Sequence, residues 1–124
     1  MLESLLYVAL GAACGGCLRF LLTHFSSEWS QHHGFPYGTL AVNVLGSFAV
    51  GYVLTWSADH AHDRWRLLAA TGFCGGFTTF SAFAFESMQY FHAGRYLAFA
   101  GNIAINNVLS LLAVIIGIAA HRKP

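Results

Sequence analysis

Charge is what this sequence has least of. Only 9% of its 124 residues are Asp, Glu, Lys or Arg, where a soluble domain carries about 25%. A chain so poor in charge cannot solvate a surface of ordinary extent in water, which points to lipid as its solvent. Its formal net charge is +1, which excludes a basic field for nucleic acid and an acidic tail. Cysteine is also sparse. Cys14 and Cys17 form a CGGC inside an apolar run, with no second CxxC and no strand before it, so they read as small packing residues rather than a redox pair or half a zinc site. No internal repeat divides the chain.

What the sequence does have is uninterrupted apolar length. Residues 29–58, 67–85 and 96–121 carry no Asp, Glu, Lys or Arg, and residues 1–23 carry only Glu3 and Arg19. A helix needs ~20 mostly apolar residues to cross hydrocarbon, and lipid-exposed backbone leaves little alternative to helix. The pattern predicts an all-α integral membrane protein, one domain over 1–124, with spans at about 4–23, 39–56, 67–91 and 96–120. The first span lacks a basic n-region and is expected to be retained rather than cleaved as a signal peptide. Between the spans, SSEWSQHHGFPYG, SADHAHDRWR and HAGR read as loops, the first ending in Pro and Gly turn chemistry. Trp29, Trp56, Trp65, Tyr37, Tyr90 and Tyr96 fall near the expected ends, where amphipathic rings favour the interface.

Loop charge barely chooses an orientation. Arg64, Arg66, Arg122 and Lys123 lie on one side, Arg19 and Arg95 on the other, a weak bias for a rule that depends on asymmetry. Insertion in either direction is permitted. Four such helices enclose little space alone, so a solute path would form more naturally between subunits. Gly11 with Gly15, and Gly72 with Gly76, are spaced GxxxG, a weak signal for oligomerisation through close helix contact.

Polar residues inside a membrane are costly and usually face a partner, a bundle interior or water. Asn102, Asn106 and Ser110 recur every fourth residue, a step that drifts only 40° past a full turn. They make one stripe, suited to a hydrogen-bonding track or to interhelical contact, and Asn107 falls off it. Thr39 and Asn43 share a face of the second span; an Asn amide offers two N–H donors and can hold an anion without charge, or serve structure. Arg19 suits either a snorkelling or an entrance role. Glu86 is the one carboxylate inside a span, reaching for headgroups or carrying a proton.

The stretch GFCGGFTTFSAFAFE, residues 72–86, is the least like a membrane helix. Gly72, Gly75 and Gly76 weaken it, while Thr78, Thr79 and Ser81 can bond freed backbone groups, so the third helix is expected to break within the membrane. A break exposes carbonyls, natural ligands for a hard cation such as Na⁺. Phe80 and Phe83 follow at i, i+3, and aromatic rings carry a positive edge that can face an anion.

Taken with GGCLRF at 15–20, GTLAVNVLGSFAVG at 38–51 and the Asn102, Asn106, Ser110 series, this stretch resembles the bacterial Fluc (CrcB-like) fluoride channels along nearly the full chain. The resemblance implies an antiparallel, dual-topology homodimer of four-span subunits in the bacterial inner membrane. It implies two narrow pores that carry fluoride passively out of the cytoplasm and confer fluoride resistance. It places a structural Na⁺ at the dimer centre on the carbonyls of Gly75 and Thr78. It places fluoride along Asn43, Phe80, Phe83, Ser81, Asn102, Asn106 and Ser110, with Thr39 beside the asparagine and Arg19 and Glu86 as near-pore charges. The sequence departs from the family pattern at Ala82 and Ala84, where hydroxyl residues are common, so the third span offers fewer side-chain donors.

Three rival functions remain. A small multidrug exporter also has four spans but wants a carboxylate deep in its first span, and none stands between Ser4 and Leu18. A proton-coupled fluoride transporter would use Glu86. A thiol–disulfide protein would use Cys14 and Cys17.

Overall fold

The computed structural model describes residues 1–60 and 63–122; Lys123, counted above among the loop charges, lies outside them. It contains helices α1 (Leu2–His33), α2 (Tyr37–His60), α3 (a helical run over 63–77), α4 (Phe80–His92) and α5 (Tyr96–His121). Four stretches are long and apolar enough to cross a membrane: Leu2–His33, Tyr37–His60, Asp63–His92 and Tyr96–His121. The third of these is α3 and α4 together.

The first loop is far shorter than its composition suggests. Helix α1 continues through SSEWSQHH to His33 and ends only where Gly34 takes a left-handed φ of 65°, ahead of Pro36. The hydroxyls that make this stretch look loop-like turn back onto their own helix: Thr23, Ser26 and Ser27 donate to carbonyls three or four residues earlier. At 1.5 Å per residue, a helix of 32 residues is about 48 Å long, against a hydrocarbon core of about 30 Å. Its last turns outrun the apolar layer. There Trp29 stacks on Tyr37 across the turn, with ring centroids 5.3 Å apart.

Two helix pairs make the frame: α1 against α3, and α2 against α5. Glycine sets both contacts. A Cβ at Gly11 or Gly15 would collide with the carbonyls of Leu68 and Phe73, and one at Gly72 or Gly76 with those of Val8 and Ala12. The two GxxxG faces expected to join subunits are therefore spent on each other inside one chain, because backbone contact this close leaves no room for a second copy there. In the other pair, Gly51 lies against the Val114 backbone and Gly117 against that of Phe48 and Tyr52.

Helix α3 opens into wide, i→i+5 turns over Arg66–Cys74 before a last α-helical turn at Gly75–Phe77. Such turns are rare and gather at functional sites. The helix then stops: Thr78 (φ −80°, ψ 159°) and Thr79 (φ −148°, ψ 116°) are extended, and α4 starts at Phe80. The buried apolar side chains are few and mostly small (Val42, Ala70, Cys74, Phe77, Phe83 and Ala113), while Leu, Ile and Phe side chains crowd the exterior. Asn102 and Asn106, by contrast, are buried. That inversion is what a lipid solvent selects.

Candidate functional site

The break between α3 and α4 frees backbone groups that a continuous helix would pair internally, and within the membrane each unpaired one is expensive. Other helices supply partners. The Asn43 amide, on α2, reads the Thr79 peptide from both sides: its Oδ1 accepts from Thr79 N–H at 2.8 Å and its Nδ2 donates to the Thr79 carbonyl at 3.1 Å. The backbone thereby fixes which way the amide points. Arg19, on α1, donates from Nη1 to the Thr78 carbonyl at 3.1 Å. Thr79 also caps α4, its Oγ1 accepting from Ala82 N–H at 3.2 Å. Thr79 is buried.

From Asn43 a directed chain runs into the protein. Asn43 Nδ2 donates to Asn106 Oδ1 at 3.2 Å, Asn106 Nδ2 to Asn102 Oδ1 at 2.9 Å, and Asn102 Nδ2 to Ser87 Oγ at 2.9 Å. Ser87 ends it by donating to the Phe83 carbonyl at 2.8 Å. Backbone groups anchor both ends, so the whole chain has one sense. The Asn102–Asn106 stripe is thus real and joins α5 to α2 and α4. Both N–H groups of Asn43, and those of Asn106, are engaged within it.

The remaining sequence-selected residues are placed as follows. Phe80 and Phe83 meet edge to face, with centroids 5.5 Å apart and planes at 60°, but unequally: Phe83 is 7% exposed and Phe80 78%. Ser81 is exposed and sits 3.4 Å from the Thr79 hydroxyl. Ser110 makes no hydrogen bond among the described residues and lines an open groove of about 540 Å³ together with Asn43, Asn106 and Phe80. Thr39 and Glu86 form a separate pair, with Thr39 Oγ1 donating to Glu86 Oε1 at 2.6 Å. The second carboxylate oxygen of Glu86 is buried without a partner. Cys14 and Cys17 are exposed on α1 and unbonded to each other.

The residues suggested for a cation fit one, unequally. In a continuous helix the Gly75 carbonyl would accept from Thr79 N–H, which here turns to Asn43; a Cβ at Gly75 would have nothing within 4 Å, so its backbone is open to approach. The Thr78 carbonyl shares one lone pair with Arg19 and retains the other.

Thr79, read from the sequence as a hydroxyl able to bond freed backbone, does so as the cap of α4, and its place immediately before an apolar helical run is an N-cap signal. Ser87 escaped the sequence reading and left no signal, since only the fold brings it beneath Asn102.

Apolar helices turned outward around a buried polar seam define a multi-pass membrane protein. The chain belongs to the CrcB-like family: the family description "CrcB-like protein, Camphor Resistance (CrcB)" matches residues 6–118. It is 45% identical over 112 residues to a protein of Koribacter versatilis named fluoride-specific ion channel FluC, covering 89% of this chain and 88% of that one. A protein of the same name from Phocaeicola vulgatus is 44% identical over 119 residues, covering 94% and 97%. One from Leptospira interrogans is 41% identical over 108 residues, covering 86% and 84%. These relatives are named as ion channels, not enzymes.

Proposed function

We propose that this protein is a passive, selective fluoride channel, working as an antiparallel homodimer in the bacterial inner membrane and conferring fluoride resistance. Family membership supports the class. The observation that carries the reading is the polar seam at the break, where Asn43 holds the Thr79 peptide beside the edge-to-face pair of exposed Phe80 and buried Phe83. The chain from Asn43 through Asn106 and Asn102 to Ser87 carries no charged side chain, so a small anion can be solvated by N–H and O–H donors without being trapped by a fixed charge. Because Asn43 has both donors engaged, fluoride takes the N–H now given to Asn106, and the Asn106 Oδ1 so released accepts instead from a hydroxyl lining the groove. Exchange of one hydrogen bond for another keeps the passage shallow in energy.

The weak charge asymmetry of the loops supports opposite orientations of two copies, and the open groove supports a path at the subunit boundary, one in each half of the dimer. A Na⁺ held by the carbonyls of Gly75 and Thr78 from both copies would supply positive charge that joins the subunits at the break.

The test is ion efflux from liposomes holding the purified protein. Fluoride leaves rapidly, chloride does not, and Phe80→Ile abolishes the flux; absence of fluoride efflux from a monodisperse preparation refutes the reading. One observation favours a second reading. The unpartnered oxygen of Glu86 suits a proton carrier, and fluoride flux driven by an imposed proton gradient would select proton-coupled export instead.

A further inference from the structure

A hydroxyl on a membrane helix ordinarily satisfies itself by donating to the carbonyl three or four residues earlier. Thr23, Thr55, Ser57, Thr78 and Ser87 all do so here. Ser47, Thr71 and Ser110 do not. None of the three has a hydrogen-bond partner among the described residues, and all three line the same groove beside Asn43, Asn106 and Phe80. They come from three different helices: Ser47 lies one turn beyond Asn43 on α2, Ser110 one turn beyond Asn106 on α5, and Thr71 in the wide turns of α3. The rest of the lining is largely apolar, including Val50, Ala70, Leu111 and Val114. It contains no charged residue.

Three hydroxyls from separate elements that line one groove without bonding back onto their own helices are not explained by the local needs of any one helix. The amides next to them are spent on one another. The hydroxyls are therefore the donors that remain available. We propose that Ser47, with Ser110 and Thr71, forms a second fluoride position in this groove, one helical turn from Asn43, and that Ser47 is a specificity-determining residue of the pathway. The inference rests on the fluoride-channel reading above and adds Ser47 and Thr71 to it. A hydroxyl gives a small, hard anion a short, strong O–H bond, which offsets its larger dehydration cost, whereas the larger chloride gains only a longer, weaker one. The groove's neutrality lets the ion move on towards Asn106.

Fluoride and chloride efflux from liposomes is measured for the wild type, Ser47→Ala and Ser47→Thr, each checked for elution as the same oligomer. Ser47→Ala lowers fluoride efflux by roughly tenfold, the loss of one hydrogen bond to an ion, and Ser47→Thr, which keeps the hydroxyl, restores most of it. Thr71→Val lowers it in the same direction. Wild-type fluoride efflux from Ser47→Ala overturns the second position while leaving the channel reading intact. A weakened oligomer with unchanged flux per assembled protein also overturns it, assigning the hydroxyl to subunit contact. If the wild type carries no fluoride, the channel reading fails and the second position with it.

Discussion

The two halves of the third span are held in place by different physics. Helix α3 lies against α1 backbone to backbone, through Gly72 and Gly76 facing Gly11 and Gly15, and over residues 66–77 no side chain hydrogen-bonds to another helix. Helix α4 is short and regular, and its ties are directional: Asn43 on the Thr79 peptide, Thr39 on Glu86, and Asn102 on Ser87. The first half is located by shape, which tolerates no added volume. The second is located by donors and acceptors, which tolerate volume but not the loss of a partner. An ion path belongs in the second kind of environment, since hydrogen bonds can be traded for an ion while packed backbones cannot.

The contrast breaks most sharply at Gly72. Gly72→Leu drives a side chain into the Val8 carbonyl and the α1 backbone, so overpacking costs more than the usual ~1–3 kcal/mol. The expected outcome is loss of the monodisperse peak in size-exclusion chromatography. Gly16→Leu, where a side chain meets nothing, elutes normally. Equal behaviour of the two variants would show that shape does not lock α3.

Asn43→Leu tests the other half. It conserves volume approximately but strips partners from Thr79 N–H and C=O and from Asn106, at ~1–3 kcal/mol for each buried group left unsatisfied. The protein still assembles, melts at a lower temperature in detergent and loses most fluoride efflux. A melting temperature at the wild-type value would mean that the Thr79 peptide has another partner. The smallest effect is at the cap itself. Thr79→Ala removes the acceptor for Ala82 N–H, worth ~1 kcal/mol, and lowers the melting temperature slightly, while Thr79→Ser restores it.

How far these halves were legible in the sequence differs in the same way. The weakness of 72–79 could be read from its glycines and hydroxyls, and the Asn102–Asn106 stripe from its spacing, because both depend on local helix geometry. The Asn43–Thr79 pairing joins residues 36 apart, and no pattern along the chain announces it. GxxxG misled, since a strip of small residues looks the same whether its partner is another copy or another helix of the same chain. The loop expected over residues 26–38 misled too: its first eight residues are compatible with helix once serine hydroxyls back-bond, and only Gly34 stops it.

Lack of charge and the length of the apolar runs were sufficient by themselves to make this a four-span, all-helical membrane protein, because a bilayer leaves the backbone no other way to satisfy itself. Which polar groups would be spent and which left free was decided only by tertiary structure. A donor's availability depends on what folds against it, and here the fold engages the amides of Asn43 and Asn106 while leaving Ser47, Thr71 and Ser110 open to the groove.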